Sequence, residues 1–330
     1  MGEHAGSGSR IDDMFASSSA LDWIEHDDLT PAPGQLRIRV AAAGVNRADL
    51  LQRAGHYPPP PGASPILGLE CAGVVDAIGE GVRRWKVGDR VCALLSGGGY
   101  AEQVVCPAGH ALPVPDGMTL IEAAALPEVL ATAWLNLCRE AGLAAGDAVL
   151  LHAGASGVGT AAIQLCQLKG ASCFVTAGSA EKIARCIALG AEGGFVRHDG
   201  GFLAAVKAWR PGGVDIVLDP VGAAYLADNQ RALATDGRLV LIGLLGGRAA
   251  ELDLGRLLIK RQRLIGSTLR SRSDADKEDI IQGIADDVWP AVRAGRLVPV
   301  IHTTVPAAAA DEAHRLLASN TTTGKVVLTM

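Results

Sequence analysis

Ala148-Val149-Leu150-Leu151-His152-Ala153-Gly154-Ala155-Ser156-Gly157-Val158-Gly159 is the stretch that decides the fold. An apolar run that reads as a strand meets a glycine-rich turn, and residues 160–168 continue it with helical spacing. Gly154 permits a tight turn, Gly157 lets backbone N–H groups approach a pyrophosphate, and Gly159 lets the helix pack close to the strand. The helix N-terminus then turns its positive dipole end toward the phosphates. A glycine motif alone also fits an ordinary strand–helix turn; the surrounding pattern raises it to a dinucleotide cradle. Gly154, Ser156, Gly157, Val158 and Gly159 are therefore the first candidate cofactor-binding residues.

Outward from this motif, apolar runs alternate with helical patterns. Residues 148–152, 172–176, 194–196, 214–219, 238–242 and 264–267 read as strands, with helices at 160–168, 180–189, 202–209, 223–234 and 253–260. Six strands with intervening helices specify an α/β, doubly wound, parallel six-stranded sheet with helices on both faces. Upstream the texture differs. Leu36-Arg37-Ile38-Arg39-Val40 alternates like a strand, 55–65 is rich in Gly and Pro, and 73–78 and 90–94 are short β-like runs with Gly88-Asp89 as a turn. This first third reads as a compact, β-rich domain, and the texture changes near Leu126. After Arg270 come a helix at 274–294, a strand near 297–303, a helix near 308–318 and a terminal strand at 325–329, assigned back to the first domain.

Composition sets the outer limits. Lys and Arg number 30 against 35 Asp and Glu, a net charge of −5, which argues against a dedicated nucleic-acid binder. A hydrophobic share of 49% with 20% charged residues supports a sizeable core and excludes global disorder. The 41 glycines in 330 residues call for many tight turns. No uninterrupted apolar run reaches the ~18 residues that span a bilayer, so no membrane association is expected. The first twenty residues are Gly/Ser-rich, lack the apolar core of a signal peptide and read as frayed. The seven cysteines are scattered with no C-x-x-C pair; they read as reduced thiols, and hence as a cytoplasmic protein.

An NAD site usually carries an acid at the end of the second strand for the ribose 2′-hydroxyl. Here that strand ends Thr176-Ala177-Gly178-Ser179, and Glu181 already lies inside the next helix. Ser179 with Lys182 and Arg197 instead offers a hydroxyl and two cations, which suits a 2′-phosphate and favours NADPH over NADH. Ser179 also fits an ordinary helix N-cap, and either cation fits a solvated surface charge.

The residues carry a resemblance. Gly44-Val45-Asn46-Arg47-Ala48-Asp49, Gly68-Leu69-Glu70-Cys71-Ala72-Gly73-Val74-Val75, Val87-Gly88-Asp89-Arg90-Val91 and the glycine motif resemble the medium-chain dehydrogenase/reductase superfamily. Within it the chain is similar to the zinc-independent quinone oxidoreductases, closest to the p53-inducible group. That likeness rests on Asn46-Arg47-Ala48-Asp49-Leu50-Leu51-Gln52-Arg53, Tyr57-Pro58-Pro59-Pro60-Pro61-Gly62 and Leu269-Arg270-Ser271-Arg272. It runs from about Leu21 to the C-terminus. It departs at 11–20, which is polar where the family opens with an apolar strand. The resemblance implies a GroES-like β-rich catalytic domain from 1–126 and 269–330, and an NADP-binding Rossmann domain over 127–268. It also implies a homodimer in which the strand near 263–267 pairs across the two-fold axis.

The zinc-dependent relatives place a Cys, a His and a third Cys or acid around a metal. At those positions this chain has Asn46, Leu69 and, near the third, Glu128, and a Zn²⁺ site needs about three protein ligands. No metal is expected, and Asp49 and Glu70 are read as structural acids. The resemblance places Asn46 beside the nicotinamide and Tyr57 in the quinone pocket, where Tyr57 could stack on the ring or donate to a developing oxyanion. Arg270 could stabilise negative charge or bind pyrophosphate. Thr132 is expected near the nicotinamide, Gly243, Leu244 and Leu245 at its carboxamide, and Leu269 completes the cofactor set. Asn46, Tyr57 and Arg270 are thus the candidate catalytic groups, with NADPH as cofactor and a quinone as substrate, the proton coming from water. Two other readings stay open: an NADPH-dependent alkenal or enone reductase, and a non-catalytic, dinucleotide-dependent binding protein.

Overall fold

The computed structural model describes residues 20–330. The reading of the first nineteen residues as polar and frayed lies outside the described residues, and 20–32 carry no helix or strand. Thirteen strands among the described residues form two sheets. The first is built on β1 (Gln35–Val45), β2 (Glu70–Ile78), β3 (Arg90–Leu94), β4 (Gln103–Pro107) and β5 (Ala111–Pro113). The second takes β6 (Ala148–Leu151), β7 (Ser172–Ala177), β8 (Gly193–Val196), β9 (Val214–Asp219), β10 (Leu233–Leu241) and β11 (Arg263–Gly266). β12 (Ile301–Pro306) and β13 (Lys325–Thr329) return to the first sheet.

The second sheet runs β11-β10-β9-β6-β7-β8, and every pairing is parallel. All four residues of β6 are buried, as expected of a strand covered on both faces. Strand order reverses between β6 and β9, and the crevice outside the carboxyl ends at such a point is where doubly wound sheets bind ligands.

The first sheet runs β12-β13-β1-β2-β3-β5, with β4 also on β1. β1 serves three partners because it is long and twice irregular. Register shifts at Arg37/Ile38 and Val40/Ala42 twist it, so that Gln35–Arg39 meets β4 while Ala42–Val45 meets β13. The pairing of Val45 with Val326 sets Lys325, the first residue of β13, beside Asn46. This register brings the C-terminal strand to the functional site.

Three expected elements differ. The helix expected over 274–294 is two, Asp274–Asp287 and Trp289–Arg293. Pro290 has no N–H to give and is accommodated in the first turn of the second. The strand expected from 297 starts at Ile301, because Gln164 captures the backbone at Val298. Its Oε1 accepts Val298 N–H at 2.9 Å and its Nε2 donates to Val298 O at 3.0 Å. The helix expected over 223–234 begins as a 3₁₀ turn at Ala223–Tyr225 and ends at Ala232, where β10 starts.

Helical structure through Leu120–Glu140 is 21 residues long with mean hydropathy 1.3, enough by length and composition to cross a membrane. The expectation of no such stretch held only for uninterrupted apolar runs. Leu126, Leu130, Ala133 and Leu137 of this segment are buried in the largest apolar cluster, together with Leu151, Ile163, Ile216, Ile280 and Trp289. It packs as a core helix of this fold. Six of the seven cysteines are likewise buried.

Candidate functional site

The glycine turn lies at the carboxyl end of β6. Ser156 caps the helix Gly157–Leu168, its Oγ accepting Gly159 N–H at 3.0 Å, so the other first-turn N–H groups stay free for an anion. A Cβ on Gly154 would stand 2.5 Å from Val175 Cβ, and one on Gly159 2.5 Å from the Ala153 carbonyl oxygen. Both glycines hold the helix close to the sheet. Gly157 is also packed: its Cβ would stand 2.6 Å from Lys325 Cδ and 3.1 Å from Val129 Cγ1. The Lys325 stem leaves no room for a side chain here. Val158 is partly buried against the main core.

At the end of β7, Ser179 caps the next helix by accepting Lys182 N–H at 3.3 Å. Lys182 Nζ donates to Asn320 O at 2.6 Å. Arg197 lies against Gly178, its Cζ 3.8 Å from where a Cβ would be, and its Nε reaches His198 Nε2 at 3.1 Å. These groups line one cleft of about 510 Å³ with Arg185, His302 and Asn320. Sequence reasoning missed a third cation. Arg47 Nη2 donates to Asn320 Oδ1 at 2.7 Å and to Leu317 O at 3.1 Å. Burial, and then the charge of Arg197, lowers the pKa of both Arg47 and Lys182. Arg197 thus repels both Arg47 and Lys182, and none of the three has a carboxylate ion-pair partner among the described residues. A polyanion would relieve that repulsion. The signal for Arg47 was in plain view, next to Asn46 in a quoted motif.

Asn46 begins the helix Arg47–Arg53, and its backbone N–H donates to Asp49 Oδ2 at 2.7 Å. Its side chain is fully engaged: Nδ2 donates to Glu70 Oε1 at 3.0 Å and Gly44 O at 3.3 Å, and Oδ1 accepts from Lys325 Nζ at 2.6 Å. Lys325 Nζ also donates to Val45 O at 2.7 Å and pairs with Glu70 Oε1 at 2.7 Å. An ammonium group therefore stands among the groups where a metal was weighed. Leu69 is buried and apolar, and Asn46 Oδ1 is already taken by Lys325, so this donor set does not fit a zinc ion. Asp49 also accepts Gly68 N–H and the Tyr100 hydroxyl, both at 3.1 Å. Asp49 and Glu70 do the structural work read from the sequence. Burial pushes Asp49 up to about 6.

Glu70 Oε2 accepts the backbone N–H of Glu128 at 2.9 Å. The Glu128 carboxyl has no ion pair among the described residues; its one hydrogen bond is a 3.5 Å contact from Thr132 Oγ1. Burial first, then the charge of Glu70, pushes Glu128 up to about 8. It is a neutral acid at pH 7. It faces Tyr57 closely enough to help burial raise the phenol's pKa, and Arg270 opposes that rise. Thr132 joins the site by touching Glu128.

The structure engages Arg270 with the Tyr57 loop. It is buried, and three of its five N–H donors are engaged: Nε to Ser96 O at 2.9 Å, Nη1 to Tyr57 O at 3.2 Å and Nη2 to Gln52 Oε1 at 2.7 Å. Its Cζ lies 5.5 Å from the Tyr57 ring centroid. It positions the Tyr57 loop. Leu269 is likewise a buried core side chain. Of the expected carboxamide donors, Leu245 N–H is taken by Pro220 O at 3.1 Å, Gly243 packs on Pro220, and Leu244 is 57% exposed.

Residues 32–116 match the alcohol dehydrogenase GroES-like domain, and 157–285 match the zinc-binding dehydrogenase family. The human synaptic vesicle membrane protein VAT-1 homolog is 33% identical over 314 residues, 90% of this chain and 79% of that protein. The quinone oxidoreductase of Thermus thermophilus, solved also with NADPH, is 32% identical with a TM-score of 0.80, over 94% of this chain and 97% of that one. The CurK enoyl reductase is 28% identical with a TM-score of 0.82, over 94% and 95%. The chain also matches polyketide synthases of Mycobacterium tuberculosis, one of them at 38% identity over 244 residues, 73% of this chain. It spans only 12% to 15% of the length of these synthases.

Proposed function

The chain belongs to the medium-chain dehydrogenase/reductase superfamily of NAD(P)-dependent oxidoreductases, and within it we propose a zinc-independent reductase that passes hydride from NADPH to a quinone. The observation that carries this reading is the buried Lys325 ammonium bonded to Asn46 and Glu70. With that cation built in and no zinc donor set, the acceptor must need little activation. A quinone fits, because its reduced ring is aromatic. The bound cofactor supplies the hydride; the chain supplies position and charge.

Cofactor choice follows from the corner around Ser179. Arg47, Lys182 and Arg197 suit a 2′-phosphate, and no acid stands at the end of β7 to hold a bare ribose hydroxyl. On the acceptor side, Tyr57 offers a ring and a phenol on a loop whose Tyr57 backbone carbonyl accepts from Arg270. We read Glu128, raised to about 8 and so protonated near neutrality, as a source of the proton that a reduced acceptor needs, beside the water first considered. The likeness to quinone oxidoreductases supports this reading.

A second reading is favoured by the same acid together with the likeness to an enoyl reductase. Hydride delivery to a conjugated carbon also ends in protonation. Comparing kcat/KM for 1,2-naphthoquinone and for a 2-alkenal, each with NADPH and with NADH, separates the two. We expect the quinone with NADPH to be preferred; preference for the alkenal would install the second reading, and turnover of neither would overturn both.

A homodimer completes the proposal. Leu254, Leu258 and Ile259 are 67%, 77% and 72% exposed on the helix preceding β11, the edge strand of its sheet. Apolar side chains beside an open edge suit pairing with a second copy. Light scattering is expected to give twice the chain mass, and Leu258→Asp to give the monomer.

A further inference from the structure

Lys325 bonds to Asn46 and Glu70, and its stem also packs on the dinucleotide turn. Gly324 N–H donates to Ala155 O at 2.8 Å, and Gly324 pairs with Ser156 as an isolated parallel bridge. The chain is thereby stitched to the glycine turn one residue before Lys325. The lysine stem then crosses directly over Gly157. Its ammonium ends on Asn46 Oδ1, Val45 O and Glu70 Oε1, all within 2.7 Å. Lys325 is 4% exposed and Glu70 is fully buried, so neither end of the side chain is free to drift. A mere surface tether would need no such enclosure.

We propose that Lys325 is a positioning residue for the reductase reaction: its stem is the floor of the dinucleotide turn, and its ammonium fixes Asn46 at the acceptor cleft. This rests on the function proposed above. One side chain then sets the distance between the cradle and the cleft, with separable parts. The stem governs how well the dinucleotide seats. The head governs how well the seated dinucleotide meets its acceptor. Because the ammonium is held by three acceptors, the stem cannot swing away from an added methyl group at Gly157 without breaking the head contacts. The two positions must therefore be energetically coupled.

A double-mutant cycle reads this without turnover. NADPH dissociation constants are measured by nicotinamide fluorescence for wild type, Gly157→Ala, Lys325→Ala and the double variant. Gly157→Ala is expected to weaken binding about tenfold beside Lys325, but less than about threefold in the Lys325→Ala background. Additive effects would overturn the floor. The head is read by Lys325→Met, which keeps a stem of similar length. Because it strands a buried carboxylate, it is paired with Lys325→Met/Glu70→Gln should the single variant not fold. NADPH binding is expected to stay within about threefold of wild type while kcat falls about tenfold, a split that a purely structural residue does not produce. Wild-type kcat in the folded variant would overturn the clamp. A wild type that binds NADPH but reduces no acceptor overturns the proposed reaction and leaves the cycle to decide on Lys325. Additivity in an active enzyme overturns Lys325 alone.

Discussion

Glu70 accepts the backbone N–H of Glu128 at 2.9 Å, so two acids stand together and, of the two, only Glu70 pairs with the Lys325 ammonium. Burial first, and then the charge of Glu70, pushes the Glu128 carboxyl up to about 8 from an ordinary 4.5. Between those values the folded protein keeps a proton that the unfolded chain releases. Stability is therefore full below about 4.5 and falls as pH rises toward 8, by up to about 1.4 kcal/mol per pH unit for a whole proton. The other strongly shifted carboxyls and imidazoles act lower: Asp49 and Asp219 titrate at about 6, and His152 and His314 at about 4 against 6.5 unfolded. From pH 6.5 to 8 the melting temperature of wild type is expected to fall, and Glu128→Gln to flatten that slope. Parallel slopes for the two proteins would show Glu128 already ionised.

The corner at Ser179 predicts a change in cofactor ratio. Lys182→Ala with Arg197→Ala removes two of three crowded cations and leaves the Ser179 cap intact. Affinity for NADPH is expected to fall by at least about tenfold, as loss of charge-assisted phosphate contacts implies, with little change for NADH. The measurement is the ratio of the two dissociation constants. An unchanged ratio would remove both residues from the 2′-phosphate. Arg47→Ala tests the third cation in the same assay, with a loss expected in the same direction.

The cradle and the sheet were legible because their signals are local. Gly154, Gly157 and Gly159 sit within one turn of a strand, and the alternation of apolar and helical runs needs only a short window of sequence. The corner at Ser179 was two-thirds legible for the same reason. Its third cation, Arg47, reaches Asn320 across 273 positions, and Lys325 meets Asn46 across 279. No periodicity carries such information; it is set by the register of β13 on β1. A lone lysine opening the apolar strand Lys325–Thr329 was nevertheless a visible anomaly. Arg270 is a related case. Arg beside a cofactor motif suggests an anion, while three of its donors engage Ser96, Tyr57 and Gln52, none of them near it in sequence.

Arg270 itself is expected to act through Tyr57. Arg270→Met keeps much of the buried volume but frees Ser96 O, Tyr57 O and Gln52 Oε1. Leaving buried acceptors unpaired costs about 1–3 kcal/mol each, so a lower melting temperature is expected. Loosening of the Tyr57 loop is expected to raise KM for the acceptor and spare the NADPH dissociation constant. A loss of NADPH affinity alone would return Arg270 to the phosphate-binding role first read from the sequence.

Metal removal tests the cleft most directly. Zinc needs about three protein donors, and here Leu69 offers none while the Asn46 oxygen already accepts an ammonium proton. Dialysis against a chelator is expected to leave both kcat and the melting temperature unchanged, and elemental analysis to find far less than one zinc per chain. Added zinc is expected to give no gain in either quantity. Lys325→Met alone is not expected to open a site either. It frees Asn46 Oδ1 and Glu70, but an amide oxygen and a carboxylate are too few and too weak to hold Zn²⁺ without a thiolate or imidazole. Stoichiometric zinc in the wild-type protein, lost together with activity on chelation, would overturn the account of the cleft.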